Sequence, residues 1–395
     1  MFNKVIFLVY SYHHSIEHER FGVYEFEKNN FSVEIWILAK IFLPDRETKY
    51  LYEENANTQN IKVFHNKAEY KNAMRYLDKK TIVISYIPYA ISCYFIYRAL
   101  TKYRVTYMLN SCCHVPSSEG SRQVYDSWWH FISAKLQGKF FLRCMEWVFR
   151  KMPGYLIGIR PANAALLGGI KTWGVHRPVG HRTLRWYLHE DDYERFLKEN
   201  KTPCQVDESL CVFLDSYIPY HPDMSFMGAS GSIDPQKYYR KLCCFFDYLE
   251  QTYHYHVVIA AHPRSRYHEH PDCFGGREVI KGKTVSLVRA SGLVLGDASA
   301  STSFAVLYKK PIIFLMMDML KPHKIYENSK KFAVALGTEI LNLDNDFSHF
   351  DLTSKLHINR NAYKNYLENY IKVSGSPDTL FWESVLDKLH AGALG

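Results

Sequence analysis

The chain has 395 residues, 47% of them hydrophobic, 15% aromatic and 23% charged. That balance belongs to a folded globular protein and excludes a collagen, a coiled coil or a low-complexity tail. With 49 Lys and Arg against 40 Asp and Glu the formal charge is +9, which suits an anionic ligand or surface. The basic residues are nevertheless scattered, without the basic arm that a nucleic-acid partner calls for.

At about 100 to 200 residues per domain this length predicts about two domains, each able to bury its own core. The chain opens on an apolar run too short for a signal peptide, and it meets Ser11, His13 and His14 where a cleavage site would need small residues. Residues 4–10 therefore read as a first β-strand. Further strands are expected at 32–38, 61–65, 81–85, 105–110 and 154–158, with helices at 67–77 and 90–102 between them, the alternation of βαβ units around a parallel sheet. The stretch 81–100 is broken by Pro88 and rich in Tyr, so it reads as strand plus helix, and no membrane span is expected. Residues 127–150 form a longer aromatic-rich helical segment, an insertion beyond a minimal Rossmann unit.

The polar, Pro-containing stretch 200–208 marks a boundary, giving domains 1–205 and 206–350 followed by C-terminal helices in 351–395 that could pack back on the first domain. The second half repeats the α/β logic. A strand at 209–214 precedes a helix that opens with Asp234 as N-cap and Pro235 in its first turn, with Tyr238, Leu242, Phe245, Phe246 and Leu249 on one face. Strands at 257–260, 293–295 and 312–315 and helices at 284–289 and 301–308 complete it, before helical candidates at 361–370 and 379–389. The nine Cys show no C-x-x-C and no zinc-ligand spacing; they read as reduced thiols of a cytoplasmic protein.

Ligands of open α/β sheets sit at the carboxyl ends of strands, so the polar residues just after each apolar run are the candidates for chemistry. Asp215 ends the strand 209–214 and could act as a general base or as a nucleophile toward an anomeric carbon, against the plainer reading of a turn cap. His262 ends the next strand and is aimed by Pro263, with Arg264 and Arg266 able to add charge for a phosphate. The run from Gly296 to Ala305, with Ser299, Ser301, Thr302 and Ser303, makes a small hydroxyl-rich turn that would cradle a phosphate or simply cap a helix. Lys283 sits in a Gly-Lys-Thr triplet resembling a P-loop, but Arg277 stands where its first Gly should be; the triplet is a decoy for that motif, and Lys283 is retained only as a nucleotide-binding cation. A dinucleotide fingerprint is absent after the first strand. His13, His14 and Arg20 at the first strand-helix junction are acceptor candidates, against the plainer reading of a solvated helix start. Asp344-Asn345-Asp346 has Asp-x-Asp spacing but reads as a turn.

His262-Pro263 and Ser301-Thr302-Ser303, in this order after the acid Asp215, resemble the motifs of bacterial GT-B glycosyltransferases of surface-polysaccharide assembly, notably the sialyltransferase-like and Kdo-transferase-like groups. The resemblance covers residues 209–315. It implies an α/β GT-B fold, two Rossmann-like domains whose parallel sheets face a central cleft, and transfer of a Kdo or nonulosonic acid sugar from a CMP-linked donor to a capsule or lipopolysaccharide glycan. It further implies no metal or other cofactor, with nucleotide-sugar donor and glycan or glycolipid acceptor as partners, and a location either cytoplasmic or peripheral at the inner face of the bacterial inner membrane. Pro263, Arg264, Lys283, Ser299, Ser301, Thr302 and Ser303 would hold the nucleotide, Asp215 and His262 would act on the reacting groups, and the stereochemical outcome stays open. Rival readings are a UDP- or GDP-sugar transferase, a sugar-nucleotide epimerase, or a non-catalytic glycan- or nucleic-acid-binding protein.

Overall fold

The computed structural model describes residues 2–12, 14–44, 60–111, 115–116, 140–152, 154–169, 180, 182–221, 231–270, 272–347 and 350–394. Two compact units emerge. The first holds Met1–Cys112, Glu119–Asp191 and Gly375–Gly395; the second holds Asp192–Ser374 with the short segment Cys113–Ser118.

The first unit is built on β1 (Lys4–Val9), β2 (Ser32–Ile37), β3 (Ile61–Val63), β4 (Thr81–Ser85), β5 (Thr106–Ser111), β6 (Ala164–Gly168) and β7 (Leu184–Leu188). They form one sheet in the order β3-β2-β1-β4-β5-β6-β7, every pair parallel. Parallel strands covered on both faces read as continuous apolar runs, and β1 is such a run. Because side chains alternate across a strand, Val5, Phe7 and Val9 enter one core while Ile6 and Leu8 enter the other.

The second unit comprises β8 (Asp207–Leu214), β9 (His256–Ala261), β10 (Val279–Lys281), β11 (Ser291–Gly296), β12 (Ile312–Met316) and β13 (Ile340–Asn342). Its order is β10-β9-β8-β11-β12-β13, again parallel throughout. The same alternation sends Cys211 and Phe213 to one face and Val212 and Leu214 to the other. The helix Pro235–Tyr253 starts as its sequence predicts, with the Asp234 side chain accepting from the amides of Gln236 and Lys237 and the expected apolar face buried. Where β11 meets β8 the register shifts around Gly292; a Cβ there would lie 2.2 Å from the Glu208 carbonyl oxygen.

The strands β7, β10 and β13 and the helix Lys324–Leu336 were not expected, and other features differ from expectation. Residues 154–158 are not a strand: Gly154–Ile157 is a 3-10 turn closed by the Ile159 amide on the Gly154 carbonyl at 2.7 Å. The strand that follows β5 is β6, whose Ala-Ala-Leu-Leu-Gly sequence lacks β-branched residues and is defined by complete burial between β5 and β7. The units part at Asp191/Asp192 and not in the polar stretch 200–208. The physical reason is that the helix Asp191–Glu199 packs into the second unit, with Phe196 against Tyr308 at 5.0 Å and Arg289 donating to the Glu199 carbonyl at 2.6 Å.

The two C-terminal helices divide between the units. Arg360–Tyr366 places Tyr363 and Tyr366 in the second unit's core. Phe381–His390 joins the first. There Trp382 meets Phe7 edge-on at 5.7 Å and donates from Nε1 to the Arg20 carbonyl at 2.8 Å. Gly22 makes room for it, with φ of 63° and no space for a Cβ, which would fall 2.2 Å from Trp382 Cγ. Of the 127–150 segment only residues from 140 onward lie among those described, and these form the helix Phe140–Lys151. Among the described residues no helix is long and apolar enough to cross a membrane.

Candidate functional site

In the second sheet β8 lies between β9 and β11, and strand order reverses there, the place where open parallel sheets leave a crevice for ligands. Asp215 follows β8, His262 follows β9 and Asp297 follows β11. Topology thus brings together the three segments that the sequence singled out separately.

The loops are stitched to one another by hydrogen bonds. Asp215, only 4% exposed, accepts on Oδ1 from the Tyr217 amide at 2.8 Å and on Oδ2 from the His262 amide at 3.3 Å and the Tyr267 hydroxyl at 2.8 Å. Tyr217 takes the left-handed conformation at φ 55°, and its amide closes an Asx turn on Asp215. Beyond Tyr267 the network runs on to the Tyr239 hydroxyl at 3.3 Å. Ser216 donates to Asp297 Oδ1. Asp297 is also buried, and its second oxygen has no partner.

Two buried carboxyls on adjacent strand ends resist ionisation. Burial drives Asp215 up to about 6 against the lowering effect of its three donors. Burial, with the neighbouring Asp215 adding to it, drives Asp297 up to about 7. The donors assign the shared charge: three hydrogen bonds favour an ionised Asp215, whereas one donor and a bare oxygen favour a protonated Asp297. Tyr267 is pushed well above its ordinary value by burial and by the charge of Asp215, so it remains a donor.

His262 differs in kind. Its Nδ1 accepts from the Arg264 amide at 3.2 Å, as the chain turns at Pro263. This fixes the neutral tautomer with the proton on Nε2. Burial first, then the charges of His221, Arg264 and Lys281, push the imidazole down to about 3. The ring of His221 stands edge-on at 4.8 Å. Lys281 ends β10 and donates to the Ser265 carbonyl at 3.2 Å. The corner therefore offers a neutral N–H donor beside two cations, a set suited to phosphate oxygens.

The hydroxyl-rich turn is less open than expected. The amides of Thr302, Ser303 and Phe304 bond to the carbonyls of Ser299, Ala300 and Ser301, and the Ser301 amide bonds to Ser299 Oγ at 3.3 Å. These backbone donors are consumed inside the turn, and the helix Thr302–Leu307 spans six residues. Thr302 and Ser303 are buried, while Ser299 and Ser301 stay half-exposed. Lys283 is exposed just before the helix Thr284–Ala290.

In the first unit Arg20 pairs with Asp191 at 3.5 Å, so its charge is already engaged. His13 lies outside the described residues, and His14 opens the helix His14–Arg20 with its side chain likewise outside them. Asp344 is a turn residue, as read: it accepts the Asp318 amide at 2.5 Å and pairs with Lys241 at 2.6 Å. Asp297, Lys281 and His221 are participants that the sequence reading did not select. Asp297 carries the same signal as Asp215, an acid directly after an apolar strand, and could have been found by it; Lys281 ends a three-residue strand too short to read.

No protein-family model matches the chain, and no curated protein sequence does. Solved structures do resemble it. Arabidopsis thaliana UGT89C1 complexed with UDP-L-rhamnose is 7% identical over 99% of each chain with a TM-score of 0.50. Acinetobacter baumannii MurG is 10% identical over 98% of this chain and 99% of that one at 0.49. The UDP-GlcNAc 2-epimerase from Neisseria meningitidis bound to UDP-GlcNAc is 11% identical over 97% of this chain and 100% of that one at 0.43. At such identities the likeness to UGT89C1 establishes the fold, a GT-B chain of two parallel-sheet α/β units.

Proposed function

We propose that the protein is a glycosyltransferase whose second unit holds the phosphate of a nucleotide-sugar donor at the β9-β8-β11 strand ends. One observation carries this: His262, fixed as a neutral Nε2–H donor, sits beside Arg264 and Lys281 at the sheet's switch point. In transfer, an acceptor hydroxyl oxygen bonds to the anomeric carbon and gives up its proton to solvent as the bond between that carbon and the phosphate oxygen breaks, and negative charge builds on the departing phosphate. A neutral imidazole donor with two nearby cations stabilises that charge in place and needs no metal for it. Asp215 serves as a positioning residue, holding the His262 amide while its own carboxylate stays occupied. The acceptor is a glycan or glycolipid of surface-polysaccharide assembly.

A uridine nucleotide is the first donor to test, because UGT89C1 was solved with UDP-L-rhamnose and with UDP. The CMP-linked keto-sugar reading rests on the His262-Pro263 and Ser301-Thr302-Ser303 motifs and is its direct competitor. A thermal-shift panel of UDP, GDP, CMP and ADP separates them, since a ligand at a hundredfold excess over Kd adds about 2.7 kcal/mol to the folded state. Selective stabilisation by UDP supports the first reading and by CMP the second, while selective stabilisation by GDP or ADP keeps the nucleotide site and overturns both donors. Loss of the shift in His262→Ala ties either to this site. No response to any nucleotide refutes the proposal.

A further inference from the structure

The helix Phe140–Lys151 meets the rest of the first unit through Phe149 and Glu146. Phe149 stacks on Tyr89 at 4.8 Å, and Glu146 accepts the Ile91 amide at 2.9 Å. Tyr94 holds both this helix and the turn after it, meeting Phe149 edge-on at 6.2 Å and donating to the Ile157 carbonyl at 2.9 Å. Among the described side chains, those turned away from these contacts are apolar where a surface helix is ordinarily polar. Trp147 and Val148 are exposed there, Met145 is exposed at the flank one helical turn before Phe149, and on the turn Tyr155 and Leu156 are 77% and 63% exposed. A group of large apolar side chains around one anchor residue is the mark of an interaction surface.

Charge identifies the partner. Arg98 is exposed, with its guanidinium against Gly158 beside the turn, and Lys102 lies one helical turn further on the same face. Trp and Tyr beside Leu, Met and Val, bordered by Arg and Lys, match the boundary between acyl chains and anionic headgroups. We propose that the helix Phe140–Lys151 and the turn Gly154–Ile157 are a docking surface for an anionic lipid bilayer. The surface lies in the unit that does not carry the phosphate corner, so it goes beyond the nucleotide-sugar reading and stands without it.

The test is flotation of the full chain with phosphatidylcholine vesicles, with and without phosphatidylglycerol. The wild type floats with the anionic vesicles and not with the neutral ones. The variant Trp147→Ser/Tyr155→Ser/Leu156→Ser binds at least ~100-fold more weakly, from the apolar area it withdraws. Arg98→Gln/Lys102→Gln, which leaves the apolar face whole, binds roughly 30-fold more weakly, given about a fivefold loss for each basic residue near such a surface. Circular dichroism and the nucleotide shift keep folding and the phosphate site separate from this readout. The inference is overturned if the wild type ignores anionic vesicles, if it binds neutral ones equally well, or if the triple variant floats as the wild type does. A dimer that the triple variant disperses, without lipid binding, would give the face to a second copy of the chain and overturn it equally.

Discussion

Replacing Asp297 by Asn should change how the second unit's stability depends on pH. In the unfolded chain the carboxyl titrates near 3.8, whereas burial in the fold, with the neighbouring Asp215 adding to it, raises it to about 7. Between these values the folded protein keeps a proton that the unfolded chain has released, so stability falls as pH rises. The loss accumulates at about 1.4 kcal/mol per pH unit and is complete once pH passes the folded value. From pH 5 to pH 8 this one group removes about 3 kcal/mol. An Asn at the same place can still accept from Ser216 and never ionises, so the variant should lack that decline. Leaving its amide nitrogen without a partner costs about 1 to 3 kcal/mol at every pH, which lowers the whole curve without tilting it. The assay is urea unfolding followed at pH 5, 6, 7 and 8, reading the second unit's transition and comparing the change across pH within each protein. Parallel curves for wild type and Asp297→Asn would refute the assignment of the raised carboxyl to this residue.

His262 titrates in the opposite sense. Its folded value of about 3 lies below the ordinary 6.5, so the unfolded chain gains a proton first and stability is lost as pH drops below 6.5; His262→Gln should be more acid-tolerant, by about 2 kcal/mol at pH 5, in the same urea series. Tyr267→Phe removes one of the three donors to Asp215 and should destabilise by about 1 to 3 kcal/mol at neutral pH, with recovery as acid protonates Asp215; a loss independent of pH would assign the effect to packing alone. Gly22→Ala places a Cβ against Trp382 in a left-handed backbone and should loosen the helix Phe381–His390 by more than about 2 kcal/mol, seen as faster amide exchange in that helix. Unchanged exchange there would contradict the docking geometry.

Several strands were legible because β1, β4, β9, β11 and β12 are buried along nearly their whole length, as is the second half of β8, and so read as apolar runs. The helix Pro235–Tyr253 was legible through its Asp234 cap, its Pro235 and the spacing of its buried Phe and Leu residues. β6 escaped because Ala and Leu carry no strand preference, and its state is imposed by the strands on either side. The domain boundary escaped because a polar, Pro-containing stretch looks like a linker, whereas contacts made by Phe196 and Glu199 decide which unit owns the helix before it.

The same division holds at the site. From sequence alone, the strand-end positions of Asp215 and His262 and the turn enforced by Pro263 were fixed, because each depends on residues next to it in the chain. Whether those residues meet depends on strand order, which sets β8 between β9 and β11. Only there do a second buried acid, Asp297, and a cation from β10, Lys281, join them. The protonation states follow in turn from that folding: burial makes both carboxyls reluctant to ionise and keeps His262 neutral. Burial is a property of what surrounds a group in space, and no local pattern of residues encodes it.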